Sequence, residues 1–354
     1  MEKAIWKPWI LPLLAWLAFM VHHYFDLPYF NVLVVVALLV ATLQAVHHAE
    51  VIAYRVGQPF GSMVLALAVT AIEAALIISM MLASGPEGKA IARDTVFAAV
   101  MIILNGMVGI SIFAGSIRFR EQKFILGGVN AALITLTAIS ILTLILPNYT
   151  VSVAGPYYSA KQLIFVAFVS LVLYASFVFV QNFQHKDQFV DANGKEEAFQ
   201  RPTGRETAMS VLLLLVCLGA VVLLAESLAP DLHHLLDKYQ APHTLAGVII
   251  ACIVLLPEGL TAYRAAKNNE LQKSLNLSLG SALASIGLTI PIVSIVALAT
   301  GSQITLGIDA VPTILFFLSL LIIILSLSIG RTTVLHGITL LVIFLTYIFT
   351  IIFP

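Results

Sequence analysis

Two adjoining runs, V-L-L-P-E-G-L-T-A-Y-R from Val254 to Arg264 and S-L-N-L-S-L-G-S-A-L-A-S-I-G-L-T-I-P from Ser274 to Pro291, decide the fold. The first sets a carboxylate, Glu258, inside an apolar stretch of helical length. Pro257 has no N–H, so the carbonyl of Ile253, four residues back, loses its helical donor and is left as a free oxygen near the acid. In the second run Ser274, Ser278, Ser281, Ser285 and Thr289 recur at steps of four, three, four and four, which lines their hydroxyls along one helical face. Close packing of membrane helices is one use for such a stripe. Joined to a carboxylate and a freed carbonyl, it also supplies the oxygens that a desolvated cation needs.

Around these runs the chain of 354 residues is 60% hydrophobic and 10% charged, with a mean hydropathy of +1.02. Apolar runs of about 20 residues recur from end to end, the length that crosses a bilayer as a helix. A transmembrane β-barrel would show short alternating segments instead. The reading is therefore an all-α, polytopic membrane protein with the lipid bilayer as its first partner. A formal net charge of zero gives no basic surface for nucleic acid. Cys217 and Cys252 lie in apolar runs and read as small packing residues, neither a disulfide nor a metal pair. The opening stretch, without a small-residue cleavage site, reads as a retained helix.

Eleven spans are expected, at about 8–23, 29–53, 60–83, 94–117, 125–146, 161–183, 207–229, 243–264, 274–299, 308–329 and 332–353, the first weakened by Pro8 and Pro12. With the N-terminus in the cytoplasm, fourteen of the eighteen Lys and Arg residues fall inside, and Lys89, Arg93, Lys161 and Lys238 fall outside. That bias predicts an external C-terminus. The polar stretch 184–206 is then a cytoplasmic loop. It divides residues 29–183 from 207–354, while 1–28 form an outlying helix. Each half holds five spans, an odd number, so the second half enters the membrane in the opposite sense, the plan of an inverted repeat. The second span ends A-E-V-I-A at Ala53 and the seventh ends A-E-S-L-A at Ala229. The next span in each half carries one central acid, Glu73 or Glu258, with Thr70 and Thr261 a turn away.

An acid at the centre of a spanning helix costs about 2.5–3.5 kcal/mol, so two at matched places point to function, the alternative being a structural Glu hydrogen-bonded to a neighbouring helix. Glu50 and Glu226 lie near span ends, as interfacial carboxylates or as access points for protons or ions. Asn105 and Asn276 occupy similar points of the two halves, and each offers a carbonyl oxygen or holds neighbouring helices together. His47 and His48 precede Glu50, but adjacent histidines point to different faces and no H-E-x-x-H spacing follows, so they read as interfacial polar residues. H-H-L-L-D from His233 to Asp237 reads as an external loop, with no nucleophile motif beside it. An intramembrane hydrolase would need a nucleophile–base pair, and the sequence has no such motif. A channel would place its acids in a ring. Two facing acids in low dielectric resist ionising together, so the unloaded site should hold protons that a cation displaces. Mutually exclusive occupancy is the requirement for an antiporter, with one half rocking against the other.

H-H-A-E-V-I-A-Y-R-V-G-Q-P-F-G (47–61), N-G-M-V-G-I-S (105–111) and L-L-P-E-G-L-T-A-Y-R-A-A-K-N-N-E-L-Q-K-S-L-N-L-S-L-G (255–280) resemble the bacterial ChaA-type calcium/proton antiporters, in the cation/proton exchanger branch of the calcium/cation antiporter superfamily. The resemblance implies an outlying first helix, two inverted five-helix repeats and a home in the plasma (inner) membrane. It implies that Glu73 and Glu258 bind the transported Ca2+ or protons and are the metal-binding acids. Thr70, Ser281, Ser285 and Asn105 are further candidate cation- and proton-binding residues, with broken-helix carbonyls and water to make up six oxygens, and no resident cofactor is expected. Where wider relatives carry Gly-Asn before each acid, this chain has Val69-Thr70 and Val254-Leu255, and Gln58 stands where Glu is expected. Those departures keep Na+ or K+ exchange open beside Ca2+.

Overall fold

The computed structural model describes residues 7–24, 30–57, 60–184, 188–189 and 202–353. Gln58 and residues 185–187 and 190–201 of the 184–206 loop lie outside the described residues. The architecture is helical throughout. Among the described residues ten helices are long and apolar enough to cross a membrane, and a shorter apolar helix, Trp9–His22, precedes them. They organise into two compact units that each draw on both halves of the sequence.

The first unit takes residues 1–91 and 197–246. It contains α1 (Lys7–Tyr24), α2 (Phe30–Val56), α3 (Phe60–Ala83) and α8 (Gly204–Lys238), with α2 packed on the other three. Small residues make this possible. Ala41, Ala45 and Ala49 of α2 and Ala220 and Ala225 of α8 are wholly buried, and short side chains let helix backbones approach. Gly57, at a φ of 77°, turns the chain between α2 and α3. Beyond the turn, a Cβ built on Gly61 would lie 2.4 Å from the Ala53 carbonyl oxygen, so α3 starts in backbone contact with α2. Side-chain donors fix the remaining registers. Trp16 Nε1 donates to the Val216 carbonyl (3.1 Å), Ser79 Oγ to Val222 (2.8 Å) and Arg55 Nη1 to Pro202 (3.2 Å).

The N-terminus of α8 is set by a capping box. Thr203 N donates to Glu206 Oε2 (2.7 Å), and Glu206 N to Thr203 Oγ1 (3.3 Å). The other end corrects an expectation. His234 and Asp237 belong to the last turns of α8, which continues through Pro230 to Lys238, and not to a loop. Proline removes one backbone bond, and buried Leu232 and Leu236, one turn apart, hold the extension in place.

The second unit takes residues 92–196 and 247–354. It holds α4 (Ile91–Met101), α5 (Val108–Phe119), α6 (Leu126–Ser140), α7 (Ala160–Phe179), α9 (Thr244–Lys267), α10 (Leu271–Thr300), α11 (Ala310–Leu327) and α12 (Val334–Ile352). A π turn, Ile102–Met107, joins α4 to α5 as one span. α5 and α12 cross at two glycines, since a Cβ on Gly337 would lie 2.6 Å from Phe113 N and 2.9 Å from the Gly109 carbonyl. A two-residue antiparallel pair, β1 (Gln122–Lys123) with β2 (Arg331–Thr332), ties the α5–α6 and α11–α12 turns. Gln122 Nε2 extends that tie to the Ala266 carbonyl (2.9 Å) and Asn269 Oδ1 (3.1 Å) at the end of α9. Ile125 N donates to Gln272 Oε1 (2.6 Å) at the start of α10.

Candidate functional site

In the second unit the acid and the hydroxyl stripe meet. Glu258 stands half-buried on α9, one residue after Pro257, and Ser281 Oγ on α10 donates a hydrogen bond to its carboxylate. A hydroxyl donating to a carboxylate stabilises its charged form, and once turned it offers the same oxygen to a cation. Ser274, Ser278, Ser285 and Thr289 are buried along the same helix. Of these, Ser274, Ser278 and Thr289 have no hydrogen-bond partner among the described residues. Thr261 is exposed and donates to the Pro257 carbonyl (3.0 Å), so it serves the backbone at the break. Gly259 brings α9 against the π turn, where a Cβ would lie 3.5 Å from Met107 Cγ.

Asn105 occupies that π turn and is wholly buried. Its Nδ2 donates to Ser319 Oγ (2.9 Å) and to the Met101 carbonyl (3.3 Å), while Oδ1 has no partner among the described residues. A π turn inserts an extra residue into the helix and re-aims the side chains around it. Here the amide nitrogen is spent on structure and its carbonyl oxygen is kept in reserve. Asn276, its expected counterpart, is bound at both ends. Its Oδ1 accepts from Gln272 Nε2 (2.9 Å) and its Nδ2 donates to the Phe189 carbonyl (2.5 Å).

In the first unit Glu73 (4% exposed) and Thr70 (2%) lie one turn apart on α3. Glu50 is half-buried on α2, and Glu226 is exposed on α8. His47 is exposed, and His48 is 2% exposed, buried among its neighbours. The residues missed from sequence are partners: Ser319, which orients Asn105, and Gln272, which holds Asn276. An isolated serine in an apolar run carries no sign of the amide it meets. Among the described residues no three His, Cys, Asp or Glu side chains gather into a ready-made metal cage. Hard cations also accept hydroxyl and carbonyl oxygens, and those are the groups found around Glu258 and Asn105.

Comparisons with known proteins follow the same line. The model of the family described as "Sodium/calcium exchanger protein" matches residues 27–183 and 209–353. The y4hA protein of Sinorhizobium fredii is 44% identical over 312 residues, covering 87% of this chain and 84% of its own. The sodium-potassium/proton antiporter ChaA of Escherichia coli K12 is 33% identical over 326 residues, covering 91% of this chain and 88% of its own. The crystal structure of the H+/Ca2+ exchanger CAX superposes with a TM-score of 0.73 at 15% identity, covering 98% of this chain and 89% of that one. At that identity the likeness speaks for the fold.

Proposed function

The chain belongs to the sodium/calcium exchanger protein family, and from that premise we propose that it is a cation/proton antiporter of the plasma (inner) membrane. It exports Ca2+ in exchange for protons, with Glu73 and Glu258 as the residues that hold either the cation or protons. The observation that carries this reading is the Ser281–Glu258 hydrogen bond beside Pro257, in the middle of a membrane span. A carboxylate, a hydroxyl and a proline-freed carbonyl form a small oxygen cluster that favours positive charge. The cluster accepts that charge as a proton or as a metal ion, and one occupant excludes the other. In the second unit Asn105 Oδ1, Ser285 and water supply further oxygens toward the six to eight that Ca2+ takes, and in the first unit Thr70 offers a hydroxyl one turn from Glu73. Glu50, Glu226 and Asn276 stand toward the ends of their spans and serve as access residues. The N-terminus is cytoplasmic, the 184–206 loop is cytoplasmic, the C-terminus is external, and 29–183 and 207–354 are inverted repeats.

A second reading, Na+ or K+ exchange on the same residues, is favoured by a specific pair of observations. Val69-Thr70 and Val254-Leu255 supply no amide oxygen before either acid, and the 33% identical relative is named for sodium and potassium. One experiment separates the readings. Energised inside-out vesicles containing the protein are loaded with protons, and Ca2+, Na+ or K+ is added singly while internal pH is followed. Calcium should release protons at the lowest concentration. Release by Na+ or K+ alone establishes the second reading, and no release with any of the three refutes both.

A further inference from the structure

His48 is a buried titratable side chain that the reading above does not use. It is 2% exposed on α2, and neither Nδ1 nor Nε2 has a hydrogen-bond partner among the described residues. A neutral imidazole carries one donor and one acceptor, and burying both unmet forfeits two hydrogen bonds. Packing alone would be better served by leucine or methionine.

The address of the ring points to a use. The Gly61–Ala53 contact fixes the α2–α3 register. Counting from it at 1.5 Å per residue, His48 lies about 7.5 Å and Glu73 about 18 Å along the antiparallel hairpin. The imidazole therefore stands between the Gly57 turn and the acid, about 10 Å short of the acid along the axis. That is roughly four hydrogen-bonded steps of ~2.8 Å. The Arg55–Pro202 and Ser79–Val222 bonds carry the same count onto α8, where residues near Met209 share the level of His48.

The charged and titratable groups around it are few. His47, with ring centroids 5.5 Å away, is the neighbour in contact. α2 also bears half-buried Glu50 and, nearer the turn, Arg55. α3 brings Glu73. α8 brings Arg205 and Glu206 on the turn side, with the Glu206 carboxylate held by Thr203, and Glu226 toward the far end. α1 brings, at the far end, His22, which lies 3.7 Å from Asp231.

We propose that His48 is a proton-relay residue of the exchange cycle, passing protons between water at the Gly57 end and Glu73. One ring nitrogen takes a proton from the water side as the other releases one inward, and the reverse transfer returns the ring to its starting state. No bond other than N–H and O–H is made or broken. The relay rests on the antiport reading, and its test keeps the two apart.

Wild type, His48→Gln, His48→Asn and His48→Ala are reconstituted in proteoliposomes, and two rates are measured with the cation that drives wild-type flux. One is cation-driven proton flux. The other is self-exchange of the labelled cation, which moves no net proton. His48→Gln keeps hydrogen-bonding capacity without carrying protons. It should lower proton-coupled flux at least tenfold, with self-exchange and the half-saturating cation concentration within twofold of wild type. Added imidazole should restore part of the flux to His48→Ala. Unchanged proton flux, or equal slowing of both rates, overturns the relay and leaves the ring a packing role, as does failure of all three variants to fold. A wild type with no proton flux for Ca2+, Na+ or K+ refutes the antiport reading itself, and the relay falls with it.

Discussion

Ser281→Ala removes a single oxygen from the cluster around Glu258 and leaves the packing of α10 intact, since Ser281 is half-buried and alanine fits its space. The lost interaction is a hydroxyl donating to a carboxylate. Hydrogen bonds to charged groups contribute about 1.5–3 kcal/mol, and the half-exposure of Glu258 points to the lower end. About 1.4 kcal/mol is a factor of ten, so the apparent affinity for the driving cation should weaken roughly tenfold at fixed pH. The direction follows from which form the hydroxyl supports. Without it the charged carboxylate is less stable relative to its protonated form, so protons compete better and the deficit should shrink as pH is raised. The assay is cation-dependent proton flux in proteoliposomes, with the half-saturating concentration measured at three pH values. An unchanged half-saturating concentration at every pH would refute the reasoning and reduce the Ser281–Glu258 bond to packing.

Gly61→Ala places a methyl against the Ala53 carbonyl, a backbone atom that cannot turn aside. The expected loss is about 1–3 kcal/mol, read as a lower thermal unfolding midpoint in detergent, and an unchanged midpoint would show that α2 and α3 can separate freely. Glu50→Gln and Glu226→Gln, at a half-buried and an exposed position, should keep exchange and shift only its apparent affinity or pH optimum. Complete loss in either would move that acid into the binding set. Accessibility labelling of cysteines introduced near Asn193 and Phe353 should find the first cytoplasmic and the second external. Both on one side would remove the odd span count and the inverted repeat with it.

The spans were legible because hydropathy over about 20 residues reports bilayer crossing almost without reference to neighbours. The expected 308–329 and 332–353 stand as Ala310–Leu327 and Val334–Ile352. The first span is a shorter apolar helix than the rest, and Pro12 sits inside it without ending it. Where the reading went astray, tertiary packing had overridden a local signal. The polar H-H-L-L-D run looked like a loop, yet Leu232 and Leu236 hold the segment helical. The pairing of Glu258 with the hydroxyl face was readable from helical spacing, which brings Ser281 into that stripe. The Asn105–Ser319 bond was not, because it joins side chains 214 positions apart through a π turn that no local pattern announces.

The central claim is that Glu73 and Glu258 carry a cation or protons in turn. It is tested most directly by reconstituting Glu73→Gln and Glu258→Gln and measuring proton flux driven by Ca2+, Na+ and K+. Glutamine keeps the shape and one carbonyl oxygen but can neither take up nor release a proton. Each variant should insert and fold with stability equal to or above wild type, because a desolvated acid has been removed. Each should lose exchange with all three cations. Wild-type flux in either variant would contradict the account and leave that acid a structural residue.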